Sequence, residues 1–370
     1  MSPSDSGYAK IQSMQHYPKV TIGLVLYKVN PHLKDCLESL VGQDYPNIEY
    51  LFRDQSPDGE AYDFIEKKLP DVFDVAHIEK GENFFHSGGH NALIRKMDGE
   101  YYICASNDML YPPNMVTNFV KEMEKNEHKK FGSATCKLMS WDFVLRSPDY
   151  PEVDKTNIID SCGIGIKKSH FFYDIGQGED DDRQYDHKKY IFGPSGALAV
   201  YRKEALEDVV YKLKTRFTNR ADKGVREYFD ELLHYKNDVD MAYRLQWAGW
   251  PCLFIPEIKV YHDRQAGNKE KGGRIKKILA SRGKKSEWVK ENSFFGQQAV
   301  LFKNYSKRFS VPVRLMTCFY KWSTIVFALL FERYLLKELK KIKKLRKELT
   351  AKRDAVKRNV SPGEIEKFMS

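Results

Sequence analysis

The sequence predicts an α/β fold, a mostly parallel sheet with helices on both faces, followed by a helical C-terminal extension. Three observations carry this. Short β-rich apolar runs alternate with helical patterns four times within about the first 110 residues. The runs end in polar clusters containing Tyr27, Asp54 and Asp108, which such a sheet gathers beyond the carboxyl ends of its strands. The last forty residues are dominated by Lys and Arg with a leucine-type spacing of seven.

Element by element, residues 20–27 (VTIGLVLY) read as a buried strand. Pro31 opens a helix in which Leu33, Cys36, Leu37 and Leu40 share a face. Residues 48–52 form a second strand, 60–68 a helix, and 72–78 a third short strand. A glycine-rich stretch, 81–91, precedes a helix over 91–97, and residues 101–105 form a fourth strand. Beyond Phe131, apolar pieces at 131–139, 158–166, 190–201 and 252–261 predict a mixed-sheet half that completes the domain. The expected organisation is a polar extension over 1–19, a catalytic α/β domain over 20–270, a helical apolar segment over 271–332 and a basic amphipathic helix over 333–370. In residues 311–331, Arg314 and Lys321 interrupt the apolar run, and the uncharged part, 322–331, is half of the ~20 residues a membrane span requires.

With 42% hydrophobic residues, 370 residues suffice for a sizeable core. The net charge of +10 is concentrated: residues 333–358 hold twelve Lys or Arg against three acids. A near-neutral body with a basic tail points away from nucleic acid and toward a surface-binding appendage. The six cysteines lie far apart, with no CxxC and no His-Cys cluster along the chain, which predicts a reducing compartment, no disulfide framework and no zinc site. Residues 1–19 lack the apolar core of a secretory signal. The expected location is cytoplasmic, peripheral on the inner face of the plasma membrane.

Asp108, in Asn107-Asp108-Met109 directly after the strand YYICAS, suits a divalent cation, Mg²⁺ or Mn²⁺, through a hard oxygen; the competing reading is a turn cap before Pro112-Pro113. Asp54 and Asp58 in RDQSPDG suit a base or ribose, or else an Asx turn. Gly88-Gly89-His90-Asn91 opens a helix where a backbone could approach a ligand, or is a structural turn. Asp238 sits near a helix start, placed to take a proton from an acceptor hydroxyl, while Asp240 and Arg244 pair four residues apart. The bland alternative is a capped amphipathic helix with a surface ion pair. His262, at a strand end, suits a second metal ligand or a satisfied structural role.

Seven motifs in order make the chain resemble family-2 glycosyltransferases of the rhamnosyltransferase-like branch that builds bacterial surface polysaccharides. They are VTIGLVLYK, RDQSPDG, KGENFFHSGGHN, SNDMLYPPN in the DXD position, DSCGIGI, YIFGPSGALAVYRKEAL and YKNDVDMAYRLQWAGWPCLFIPEIKVYH, and the resemblance covers about residues 20–266. The resemblance implies a GT-A fold, a Rossmann-like nucleotide-diphospho-sugar transferase sheet, and an inverting transfer. It implies Tyr27, Asp54, Asn91 and Asn107 at the nucleotide, and Gly193, Ser195 and Gly196 at the sugar and acceptor. It further implies Asp108 and His262 at the metal, with Asp238 as general base. Three positions depart from the pattern: Met109 where a second acid is common, Asn237 before Asp238, and His90 in the Gly-Asn turn. The implied donor is a deoxythymidine-diphosphate deoxysugar such as rhamnose, or a uridine-diphosphate hexose, and the acceptor a glycan or polyprenyl-linked glycan. The alternative is a catalytically silent nucleotide-sugar-binding subunit of an assembly complex.

In the tail, Leu335, Ile342, Leu349 and Val356 recur every seven residues among lysines and arginines. That pattern predicts a basic amphipathic helix on an anionic membrane face, with a homodimeric coiled coil as its rival.

Overall fold

The computed structural model describes residues 17–125, 130–142, 154–212, 226–263, 283 and 285–370. The expected domain boundary near residue 270 and most of the polar N-terminal extension lie outside the described residues.

Strand β1 (Val20–Leu26) lies in the middle of the parallel part of the sheet, because its side chains are apolar on both faces and all but one of its residues are buried. It pairs in parallel with β2 (Ile48–Asp54) and with β4 (Tyr101–Ala105), and β2 pairs in parallel with β3 (Ala76–Lys80). Helices α1 (Leu33–Val41) and α2 (Glu60–Lys68) make the crossovers, and α1 buries Leu33, Cys36, Leu37 and Leu40, the four residues whose spacing predicts it. Burial of each such side chain is worth about 1.5–3 kcal/mol. Two local expectations are corrected. Residues 70–75 form a helix, α3 (Pro70–Val75), because Pro70 at its first position fixes a helical φ, and the strand begins only at Ala76.

The glycine-rich stretch is no loop either. Helix α4 (Phe85–Ile94) starts six residues earlier than predicted and carries Gly88 and Gly89 in its interior. A Cβ on Gly89 would stand 2.7 Å from the Val25 side chain, so the glycine lets α4 lie tight against β1. Tertiary packing thus overrides glycine's weak helix propensity.

The second half reverses direction. The order from one edge is β10 (Tyr190–Ile191), β12 (Cys252–His262), β6 (Ser133–Trp141), β11 (Ala199–Arg202), β4, β1, β2 and β3, with β11 antiparallel to both its neighbours and β12 parallel to β6. The short β5 (Met109–Leu110) pairs antiparallel with the end of β12, and β7 (Lys155–Ser161) pairs with β6. A small hairpin, β8 (Ile164–Ile166) with β9 (Phe172–Asp174), flanks the sheet. Helices α5 (Met115–Glu124) and α6 (Lys203–Val209) cover it, and α7 (Asn237–Ala248), buried along almost its whole length, ends at Gly249 in the left-handed region. This is the GT-A-like mixed sheet with flanking helices that the family resemblance implies.

C-terminal to the sheet come α8 (Glu287–Asn304), α9 (Val311–Phe331), a 3-10 turn (Arg333–Leu335), α10 (Leu336–Lys344), α11 (Arg346–Ala355) and α12 (Pro362–Glu366). The tail is therefore several short helices, not one. Its sevenfold stripe is spent on the core: Leu335, Leu349 and Val356 are buried, and Leu349 and Val356 join the cluster of Val239, Trp247 and Phe295. Apolar residues that meet the body of the protein are withdrawn from lipid, which corrects the expectation that this stripe faces a membrane. By contrast α9 is long and apolar enough, by length and composition, to cross a membrane, and only 17% of its most apolar window is buried.

The Asp240–Arg244 pair is no surface feature. It belongs to a cluster of three carboxylates (Glu227, Asp230, Asp240) and three cations (Arg244, Lys303, Lys352), each at most 3% exposed. Lys303 bridges Asp230 and Asp240, at 2.7 Å from the latter, and Lys352 bridges Asp230 at 2.5 Å and Glu227 at 2.7 Å. Arg244 binds Asp240 at 3.0 Å and donates to the carbonyls of Val209 and Tyr228. Lys352→Ala, which leaves the buried Glu227 without a cation and Asp230 with Lys303 alone, is expected to cost about 3–5 kcal/mol in denaturant unfolding, whereas the exposed Lys347→Ala should leave stability unchanged.

Candidate active site

The strand ends assemble two adjoining clusters. The first forms because β5 pairs with β12 in a register that sets Met109 opposite His262, so Asp108 arrives beside the imidazole. His262 Nε2 is 3.5 Å from Asp108 Oδ1, and Nδ1 is 2.8 Å from Asp160 Oδ2 on β7. The two carboxylates outweigh burial and raise the His262 pKa to about 9. Asp263 completes the group: its backbone N–H donates to the carbonyl of Asp108, and its carboxylate lies 2.7 Å from His32 Nε2. Burial, reinforced by the charge on Asp108, raises the Asp263 pKa. The structure thus brings together Asp108 and His262, the two predicted metal ligands. The supporting carboxylates, Asp160 and Asp263, escaped sequence reading. Asp160 lies within DSCGIGI, but nothing local marks it as the partner of a histidine 102 positions away.

The second cluster surrounds Asp238. Its Oδ1 accepts from the Val239 N–H at 2.8 Å and its Oδ2 from the Gly196 N–H at 3.2 Å. The Asn237 side-chain oxygen accepts from the Asp238 N–H. Burial, with the charge of Asp174, raises the Asp238 pKa against these hydrogen bonds and against Lys236. A Cβ on Gly196 would stand 3.0 Å from Asp238 Oδ2, so this glycine makes room for the carboxylate. The two clusters meet at the end of β4: Ser106 Oγ donates to the carbonyl of Ala197 at 2.8 Å, next to Gly196 and two residues from Asp108. Neither Asp108 nor Asp238 is locked into a pair with a lysine or arginine among the described residues.

Other predicted residues are placed differently. Asp54 is 1% exposed and both its oxygens accept backbone N–H groups, from Ser56 and Tyr62, so it shapes the turn and the start of α2 and does not face the cleft. This is the Asx-turn chemistry of RDQSPDG. Asn91 is fully buried and clamps residues 228–231 through four hydrogen bonds, which removes it from the expected nucleotide pocket. A Cβ on Gly193 would stand 2.2 Å from the Ala242 Cβ, so Gly193 serves the packing of α7, and Ser195 is buried at 2% exposure. Tyr27, 48% exposed, and Asn107, partly exposed, do border the open side of the strand ends.

Chain order also concealed a His-Cys cluster. His86 and His90, one turn apart on α4, meet Cys104 of β4, with Nε2 to Sγ separations of 3.7 and 3.3 Å. Burial holds the His86 pKa at about 4, that of His90 well below its usual value and the Cys104 thiol well above its own. Asn237 Nδ2 donates to His86 Nδ1 at 3.0 Å and also to Ser87 Oγ, while its oxygen is committed to Asp238. The His86 proton is then on Nε2, the nitrogen facing the thiol, so this trio is a neutral hydrogen-bonded support beneath Asp238.

The sequence profile of Glycosyl transferase family 2 matches residues 21–210. An uncharacterized glycosyltransferase of Rickettsia bellii is 30% identical over 117 residues, which cover 30% of this chain and 16% of that protein. A second, from Rickettsia felis, is 28% identical over 116 residues, covering 30% of the chain and 18% of that protein. The chain thus matches less than a fifth of the length of these relatives. Among solved structures, GalNAc-T7 with UDP, GalNAc and Mn²⁺ superposes with a TM-score of 0.52 at 10% identity, over 81% of this chain and 49% of that one. A mannosyltransferase of Pyrobaculum calidifontis, in complex with GDP-Man and Mn²⁺, gives 0.44 at 15% identity over 94% and 88%.

Asp160→Asn removes one of the two charges that hold His262 protonated. In an NMR titration the His262 pKa should fall from about 9 toward the ordinary imidazole value; an unchanged value would mean that Asp108 alone sets it.

Proposed function

The chain belongs to glycosyl transferase family 2, and from that premise we propose that it is an inverting, metal-dependent enzyme in which Asp238 deprotonates the attacking hydroxyl of a glycan acceptor. The observation supporting this is the carboxylate itself: oriented by Val239 and Gly196, raised in pKa by burial, and without a lysine or arginine partner among the described residues. A raised pKa makes a carboxylate a stronger base, which general-base catalysis needs.

The donor set at the first cluster fits a divalent cation. Asp108 offers a partly exposed carboxylate, and His262 is oriented by Asp160 in the carboxylate–histidine arrangement typical of metal ligands. One imidazole among oxygen ligands suits Mn²⁺ better than Mg²⁺, which favours oxygen alone. Such an ion acts as a Lewis acid toward the departing nucleoside diphosphate. Tyr27 and Asn107 remain to line the nucleotide, with Asp54 and Asn91 holding the walls behind them. Gly196 is a positioning residue for Asp238. The donor in this reading is a deoxythymidine-diphosphate deoxysugar such as rhamnose, with a uridine-diphosphate hexose as the alternative, and the acceptor is a growing surface glycan.

The test is metal-dependent release of nucleoside diphosphate across a panel of sugar nucleotides. Asp108→Ala should abolish the Mn²⁺-dependent release. Asp238→Asn should lower transfer about 10²–10⁴-fold while donor binding persists. Donor binding without any cleavage in the wild type would instead favour a silent sugar-nucleotide-binding subunit.

The pH profile follows from the sign of the Asp238 shift. Activity should be full where the carboxylate is ionised and fall as pH drops through a pKa above the ordinary carboxylate value of 3.8. Gly196→Ala, which crowds Oδ2, should lower kcat more than it raises KM for the donor.

A further inference from the structure

Helix α9 divides cleanly around its axis. Val313, Thr317 and Ala328 are buried against the body. On the opposite side Leu315, Phe319, Trp322, Val326 and Leu330 recur at helical spacing, a stripe roughly 100° wide. Phe319 is 77% exposed, Leu330 68%, Leu315 66% and Trp322 62%. An unbroken row of large apolar side chains at that exposure is far beyond the scattered apolar residues of an ordinary surface.

Two further features identify what covers it. From Tyr305 to Phe331 the chain carries four cations, Lys307, Arg308, Arg314 and Lys321, and no acid. Behind the helix, a cavity of about 380 Å³ opens between α8, α9, α10 and α11. Phe302, Leu339 and Ile342 supply an apolar wall, while Arg314, Lys321 and Arg353 supply cations. None of these three cations pairs with a described carboxylate. An apolar slot edged by unpaired cations matches a molecule with a phosphate at one end and hydrocarbon at the other. An apolar stripe flanked by cations matches the plane where such molecules are packed.

We propose that α9 lies flat in the interface of an anionic phospholipid bilayer, its outer stripe among the acyl chains, and that the cavity behind it takes the phosphate and first methylenes of one anionic lipid. The basic tail is not the anchor, since Leu335, Leu345, Leu349 and Val356 are buried and Leu336, Leu339 and Ile342 are partly buried. Arg314 and Lys321, seven residues apart on the flank of the stripe, favour a helix lying along the surface over one crossing it. The proposal deepens the acceptor side of the transferase reading: a surface-bound enzyme meets lipid-linked glycans in two dimensions.

The experiment is flotation of the full chain with phosphatidylcholine vesicles, with and without phosphatidylglycerol. Wild-type protein is expected to float with the anionic vesicles. Phe319→Ser with Trp322→Ser should weaken that binding about tenfold or more, and Arg314→Glu with Lys321→Glu should erase the preference for phosphatidylglycerol. All four positions are exposed, so thermal stability and metal-dependent donor cleavage should be unchanged. Failure of the wild type to float, or flotation unaffected by the serine substitutions, overturns the proposal. So does a lipid-free dimer that these substitutions dissociate, which would make a second copy the occupant. Displacement by inorganic phosphate, but not by chloride at equal ionic strength, would reduce the cavity to a free-anion site and also overturn it. Loss of donor cleavage in wild-type protein that still floats would sink the transferase reading alone.

Discussion

The buried cluster of Glu227, Asp230, Asp240, Arg244, Lys303 and Lys352 is the constraint on which the rest of the structure depends. It ties α7, α8, α11 and the segment ahead of α7 to one another at points where water is absent. Burying six charges is expensive, and apolar side chains of like volume would often be as stable. What the charges add is geometry: each cation accepts only one arrangement of carboxylates. Asp240 is two residues from Asp238, so the cluster fixes the rotation of α7 and with it the direction of the Asp238 carboxylate. The C-terminal helices are therefore part of the scaffold that holds Asp238.

The sheet supplies a second constraint of the same kind. Asp108 and His262 are separated by more than 150 residues of chain, yet the pairing of Met109 with His262 across β5 and β12 leaves them no freedom to be apart. Side chains alternate strictly along a strand, so a slip of one residue would turn His262 to the other face and dissolve the cluster. Strand register, an element of backbone hydrogen bonding, thus decides whether Asp108 and His262 meet at all.

The parallel half of the sheet was legible because its signals are local. VTIGLVL and YYICA are apolar on both faces, and Leu33, Cys36, Leu37 and Leu40 announce a helix by spacing alone. Asp108 and Asp238 stood out as well, by their place at a strand end and a helix start, and the fold puts each in one of the two clusters at the strand ends. Asp54 and Asn91 were misjudged for one reason. A polar residue in a polar loop looks available, and only the fold reveals that its hydrogen bonds are consumed by nearby backbone. Asp160, Asp263 and the His86-His90-Cys104 trio were invisible because their meaning lies in contacts across elements, which no local pattern encodes. The glycines of α4 misled in the opposite direction, since their purpose is close approach to β1 and not a turn.

The tail shows why amphipathicity alone does not choose a partner. A sevenfold apolar stripe is satisfied equally by a membrane, a second helix or the protein's own core, and the free energy per buried area is similar for each. What decides is the competition for that stripe. Here Leu349, Val356 and Lys352 engage α7, α8 and Tyr211, and the gain from burying them also neutralises Asp230 and Glu227. A lipid surface would offer the leucines an equivalent home but would leave Glu227 unpaired and Asp230 with Lys303 alone. The core therefore wins the basic tail, and the apolar face left without such a claim is that of α9.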